Sequence, residues 1–157
     1  MHTYEGQLDP PTGRFALVAA RFNLVVTHKL VQAAHTRLLE LGVTEDDIDL
    51  VWVPGSFEIP AVAQGLAESG FHCAIVCLGC VVRGDTDHYQ YVAGEAARGV
   101  AEAGRTTGVP VLFGILTTET VEQALQRAGP RGNSVGASAA EAAVRMANLF
   151  ARLPAHP

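Results

Sequence analysis

The segment at 73–91, CAIVCLGCVVRGDTDHYQY, holds the residues best placed to do chemistry. An apolar run rich in Val breaks at a glycine-containing turn, and Thr86 and His88 follow at the mouth of a helix expected over Asp87–Arg105. A helix mouth offers unpaired backbone N–H groups and the positive end of the dipole, which suits a phosphate. An imidazole beside it can carry protons near neutral pH. A phosphate seat within a few residues of a proton carrier points to an enzyme acting on a small phosphorylated molecule. Of the six histidines, His88 alone stands in a glycine-containing turn beside a hydroxyl. His28 and His35 fall on the first helix, while His2, His72 and His156 read as peripheral. A single turn histidine is structural more often than not, so the weight rests on its surroundings.

Gly79-x-x-x-x-Gly84-Asp85-Thr86 echoes the phosphate loop of nucleotide hydrolases, but Asp85 stands where the essential lysine belongs. That excludes an ATPase of this type. Thr86 and its neighbouring amides can still hold one phosphate. Arg127, at a helix end, can add a charge-assisted contact, although taken alone it reads first as a solvated C-terminal charge. The pair Cys77-x-x-Cys80 invites a zinc or redox reading. In a strand, however, positions three apart face opposite sides, and no second Cys or His pair lies nearby. Reduced, buried thiols at Cys73, Cys77 and Cys80 are the better account, and no metal is expected. Lys29 is the only lysine. It falls inside the first helix, away from the 79–91 loop, so imine chemistry here would join two substrates rather than substrate and protein.

These groups need a scaffold, and the chain alternates. Arg14–Ala20, Ile48–Val53, Ala74–Gly79 and Pro110–Leu116 read as strands. Thr27–Leu41, Pro60–Ser69, Asp87–Arg105 and Val135–Arg152 read as helices, and Thr120-x-x-Gln123 resembles a capping box for another ending at Ala128. The fold class expected is α/β: a three-layer α/β/α sandwich with a four-stranded parallel sheet, flavodoxin-like. Ligands of such sheets bind beyond the carboxyl ends of the strands. Those ends carry Arg21-Phe22-Asn23, then Pro54-Gly55-Ser56-Phe57-Glu58, then Cys80 to His88, and finally Thr117-Thr118 on a strand that holds Phe113. Three phenylalanines at one edge suit a flat heterocycle, and Ser56 and Glu58 suit a hydroxylated chain. Any one of these phenylalanines reads equally well as core; the grouping shifts the balance.

At 157 residues, 48% apolar and 17% charged, the chain has the composition of one globular domain. That domain is expected over 14–157, preceded by an arm at 1–13 containing Gly6, Pro10 and Pro11. The arm is either frayed or an extended segment that pairs with a neighbouring subunit's sheet. A net charge of −5 without a basic cluster argues against nucleic acid and anionic membranes as partners. No apolar run reaches the roughly 18 residues of a membrane span, and MHTYEGQLDPP lacks the pattern of a signal peptide. A soluble cytoplasmic protein is expected.

The motifs ARFN (20–23), WVPGSFEIP (52–60), GCVVRGDTDHYQYV (79–92), TTGVPVLFGILTTETVEQALQRAG (106–129) and RMANL (145–149) together resemble the 6,7-dimethyl-8-ribityllumazine synthase family. PGSFEIP combined with RGxTxHY is highly specific, and the similarity covers nearly the whole chain. The resemblance implies condensation of 5-amino-6-(D-ribitylamino)uracil with 3,4-dihydroxy-2-butanone 4-phosphate, the penultimate step of riboflavin synthesis, with no cofactor. It implies that Phe22 stacks on the pyrimidine, with Phe113 close by. Ser56, Phe57 and Glu58 would hold the ring and ribityl chain, and Cys80, Val81 and Val82 would contact the pyrimidine substrate through backbone. Asp85, Thr86 and Arg127 would hold the phosphate, and His88 would carry the proton. The resemblance also implies a homo-pentamer whose sites lie between subunits, with a 60-subunit shell and riboflavin synthase as further partners. One departure stands out. The family's Gly-Asn-Lys-Gly stretch reads Gly132-Asn133-Ser134-Val135-Gly136 here, without its lysine, and Arg131 is the candidate substitute.

Two other readings compete. A weakly catalytic lumazine- or flavin-binding or shell-forming relative would explain the absent lysine. A general flavodoxin-like binder would hold flavin mononucleotide as a monomer.

Overall fold

Among the described residues, runs of β-branched and small apolar residues form four strands: β1 (Arg14–Ala20), β2 (Ile48–Val53), β3 (His72–Val82) and β4 (Val111–Thr118). Five α-helices among the same residues join and cover them: α1 (Leu24–Glu40), α2 (Ile59–Glu68), α3 (His88–Thr107), α4 (Val121–Ala128) and α5 (Val135–Phe150). The computed structural model describes residues 1–129 and 133–154. All neighbouring strands are parallel, in the order β2-β1-β3-β4. Alternate residues of β3 feed two cores, as strand geometry requires. Ala74, Val76, Leu78 and Cys80 pack with α1, α4 and α5, whereas Ile75, Cys77 and Val81 pack with α2 and α3. The result is the expected α/β/α sandwich of flavodoxin type. Cys77 and Cys80 therefore lie in different cores. Strand order reverses between β1 and β3, and a crevice opens beyond the carboxyl ends at such a switch point.

Several boundaries differ from expectation for local reasons. α1 begins at Leu24, before Thr27, because the Asn23 carbonyl already accepts from the amides of Val26 (3.0 Å) and Thr27 (3.1 Å). β3 continues past Gly79 to Val82 because its ladder with β4 persists to Val82↔Thr118. Thr120 caps α4 by accepting from the Gln123 amide at 3.1 Å, but the Gln123 side chain accepts from the amide of Glu119, one residue before the cap. No helix among the described residues is long and apolar enough to cross a membrane.

Residues 1–13 form neither helix nor strand and run along the end of α5. Arg145 donates to the Gly6 carbonyl, Asn148 to the carbonyls of Gln7 and Asp9, and Arg152 to that of Glu5. Leu8 packs against the larger core. Within one chain the arm is thus docked through its backbone acceptors rather than frayed.

His72 is not peripheral: it opens β3 and is buried. Its Nε2 lies 2.8 Å from the Asp49 carboxylate, whose other oxygen accepts from Arg14 at 2.7 Å. Strand pairing sets this contact, since Arg14 pairs with His72 and the neighbouring Ala16 pairs with Asp49. His156 and Arg131 lie outside the described residues. The Arg14 guanidinium, and after it the His72 ring, hold the Asp49 carboxyl below its ordinary 3.8. A depressed carboxyl contributes stability that is complete above the unfolded value and is lost as pH falls through the lower folded value. Asp49→Asn is therefore expected to lower the urea midpoint at pH 7 and to leave it nearly unchanged near pH 2. Solvent reaches 39% of this side chain, so the difference should be about 1 kcal/mol or less.

Candidate active site

The crevice is assembled from three chain reversals at the carboxyl edge. Beyond β1, the amides of Arg21 and Phe22 donate to the carbonyls of Val53 (2.8 Å) and Pro54 (3.0 Å), pinning this turn to the end of β2. The Arg21 guanidinium lies over the Trp52 ring at 5.1 Å. Asn23 adopts the left-handed conformation, φ 59°, and the turn leaves the Phe22 ring 71% exposed. Beyond β2, Pro54-Gly55 leads into a single 3-10 turn, Ser56–Glu58, and then α2, with Pro60 in the first turn where its missing N–H is tolerated. Phe57 is thrown outward, 56% exposed, while Ser56 is buried. Ser56 fits because residue 79 is glycine; a Cβ there would fall 2.5 Å from its hydroxyl oxygen. Beyond β3, the amide of Arg83 donates to the Thr118 carbonyl at 2.9 Å. The chain then turns through Gly84 to α3, which His88 begins.

Together these segments enclose a cleft of about 340 Å³, at the small end of ligand-pocket volumes. All three reversals line it: Phe22 beyond β1, Gly55, Ser56 and Phe57 beyond β2, and Cys80, Val81, Val82 and Gly84 with His88, Tyr89 and Val92 of α3. The sequence thus brings Phe22, Ser56, Phe57, Cys80, Val81, Val82 and His88 together. Burial pushes the Cys80 thiol up to about 11 and raises Cys77 as well. At neutral pH Cys80 is a neutral, apolar part of the lining and not a nucleophile. Cys73 is only half-buried, its thiol donating to the Arg14 carbonyl at 3.2 Å.

Other candidates stand apart within one chain. Glu58, Asp85 and Thr86 are exposed and do not line the cleft. The Thr86 hydroxyl accepts a long 3.4 Å bond from the His88 amide. Phe113 is not at the carboxyl edge: it pairs with Cys77 within the sheet, on the outer strand β4, and is 46% exposed. The edge therefore carries two phenylalanines, not three. Arg127 lies in a second hollow, about 380 Å³, with Thr117, Thr118 and Gln123. Tyr89 borders both hollows. Arg83 steadies it, lying over the Tyr89 ring at 5.5 Å and reaching Glu119 at 3.4 Å.

Residues 12–151 match the model of the 6,7-dimethyl-8-ribityllumazine synthase family. The chain belongs to that family. Membership supports lumazine synthase activity within riboflavin biosynthesis. At the departure from the family's Gly-Asn-Lys-Gly stretch, Ser134 is buried and caps α5, its hydroxyl accepting from the Gly136 amide at 3.2 Å. A capping serine satisfies an orphan amide that a lysine side chain could not. Gly132 lies outside the described residues.

The sequence reading missed Tyr89 and Val92, although their spacing from His88 at the start of a helix puts them on adjoining faces of its first turns. It also gave no role to Asn23 or Gly79, whose contacts are with distant segments and leave no periodic signal.

Proposed function

We propose that this chain is a 6,7-dimethyl-8-ribityllumazine synthase that joins 5-amino-6-(D-ribitylamino)uracil to 3,4-dihydroxy-2-butanone 4-phosphate, releasing phosphate and water. One observation carries the reading. In a member of this family, one cleft at the β1/β3 switch point is lined by two exposed phenylalanine rings and by His88. Phe22 stacks on the pyrimidine, which the Cys80–Val82 backbone also contacts. Ser56, Phe57 and Glu58 hold the ring and the ribityl hydroxyls. The substrates' own amine and ketone form the imine, so no protein lysine is consumed. Loss of phosphate requires an anchored leaving group and a nearby proton carrier. Asp85, through its N–H, and Thr86 anchor it at the head of α3, Arg127 completes the seat, and His88 moves the proton. Holding two substrates in register can supply roughly 7–11 kcal/mol of the acceleration.

Arg127 and Phe113 join this cleft from an adjacent subunit, which favours the family's pentamer. Exposed Phe22, Val25 and Phe57 supply apolar surface for that contact. The short connection before α5 favours the 60-subunit shell, with riboflavin synthase as its partner, and the arm at 1–13 would have to leave α5 of its own chain to pair with a neighbour's sheet.

Mixing both substrates with the protein should generate lumazine fluorescence, and sedimentation should give particles of five subunits or more. A monomer that holds flavin mononucleotide and forms no lumazine would overturn the proposal. The second reading, a binder with little turnover, draws on Ser134-Val135, where the family's lysine is missing. Tight lumazine binding without product would favour it. His88→Ala is expected to slow condensation tenfold or more, low among general acid–base effects because the imidazole is open to solvent. Binding of the pyrimidine should persist, and unchanged turnover would remove His88 from its role.

A further inference from the structure

Asn23 occupies the usual place of a helix cap but does not cap α1 with its side chain. Its backbone carbonyl does that work, accepting from Val26 and Thr27. The side-chain amide instead donates to the Cys80 carbonyl at 2.8 Å, fifty-seven residues away in sequence. The reason lies in the sheet. The β1–β3 ladder ends at Ala19↔Leu78, whereas β3 runs on to Val82. The Cys80 carbonyl therefore lies beyond the last strand partner on the β1 side. The Asn23 amide takes the place of the missing strand and satisfies an acceptor that would otherwise be orphaned.

The same residue is held by its own backbone. At φ 59° and ψ 45° Asn23 is the only non-glycine residue with positive φ among those described. Asparagine tolerates this conformation better than other residues with a Cβ. The buried Thr27 hydroxyl donates to the Asn23 carbonyl at 3.1 Å, closing the turn from inside. Phe22 is thus fixed on one side by the hydrogen bond its amide donates to the Pro54 carbonyl and on the other by a neighbour hydrogen-bonded to the Cys80 carbonyl. Two parts of the cleft lining, the turn that carries Phe22 and the strand end at Cys80, are tied to each other through one side chain.

We propose that Asn23 is a positioning residue that sets the gap between the Phe22 ring and the backbone of Cys80, and so selects a flat ring of one thickness. Its kinetic consequence rests on the reading of function given above; the tether itself does not. Asn23→Gly keeps the left-handed turn without strain and removes only the donor. Asn23→Asp keeps the shape and sets a carboxylate oxygen against the carbonyl.

Both variants are to be compared with the wild-type enzyme by steady-state kinetics, thermal unfolding and hydrogen exchange. In Asn23→Gly, KM for the pyrimidine should rise about tenfold, matching the loss of one hydrogen bond of about 1.4 kcal/mol. KM for the phosphorylated ketone and kcat should stay within about twofold, while the unfolding midpoint falls because the Cys80 carbonyl loses its donor. Asn23→Asp should be the worse of the two. The amides of Phe22 and Cys80 should exchange faster in both variants. Equal rises in both KM values would reduce Asn23 to a structural residue, and an unchanged pyrimidine KM would overturn its role in selection. If the wild type forms no lumazine, the functional reading falls. Exchange then decides the tether alone, and unaltered protection at Phe22 and Cys80 would refute it.

Discussion

Alanine at Arg127 is expected to lower kcat/KM for the phosphorylated ketone by about a hundredfold, the loss of a charge-assisted contact to phosphate of about 1.5–3 kcal/mol. KM for the pyrimidine should stay within about twofold. Equal losses for both substrates would count against the assignment. The decisive form of the experiment uses two defective chains. Within one subunit Arg127 lies in a different hollow from the cleft that holds Phe22 and His88, and Tyr89 borders both. If the working site joins the Arg127 hollow of one subunit to the cleft of the next, Arg127→Ala and Phe22→Ala damage different halves of it. Randomly coassembled at equal amounts, such chains leave about one site in four with both halves intact, as a head-to-tail ring interface requires. Activity near a quarter of wild type should then return from two nearly inactive proteins. If both residues served a site within one chain, mixing would restore nothing.

Where the sequence could be read well, the physics was local. β1 and β2 fall where the apolar runs do, because each is bounded by turn residues and the runs are too short for helices. β3 was read too short because glycine at 79 looks like a strand end. In the fold that glycine is a notch for Ser56, which only the tertiary contact reveals. The cleft residues at 22, 56, 57, 80–82 and 88 could be grouped in advance because parallel topology gathers strand ends at one edge. Phe113 could not be placed so simply. Its register depends on where β4 begins, and the strand extends beyond Leu116 to Thr118. Arg127 can be assigned to a helix end but not to one of the two hollows, since that depends on how α4 is set against β4. His72 reads as peripheral because it precedes the expected strand at Ala74–Gly79, and only its pairing in β3 puts it beside Asp49.

Gly136→Ala is expected to be the most destabilising of the changes considered. α5 is built from small residues, with Ala139, Ala140, Ala143 and Ala147 all buried against the core that α1 shares. At Gly136 the approach is closer still, because an added Cβ would meet the backbone carbonyl of Leu30 in α1 at 2.2 Å. A side chain could rotate away from such a contact, but a carbonyl inside a helix cannot move without carrying the helix. Overpacking of this kind costs about 1–3 kcal/mol and at times more, and a backbone obstacle puts this case at the upper end. The helix-propensity gain of alanine over glycine is at most about 1 kcal/mol and does not offset it. Gly65 in α2 is the matched control, since nothing lies within 4 Å of a Cβ built there. Gly65→Ala should therefore raise stability by about 0.5–1 kcal/mol. Urea unfolding of the two variants should move in opposite directions from wild type. A Gly136→Ala protein as stable as wild type would show that α5 does not seat on α1 through this contact. Because α1 begins at the turn carrying Phe22 and Asn23, a displaced α1 in Gly136→Ala should also weaken pyrimidine binding, whereas Gly65→Ala should leave it unaltered.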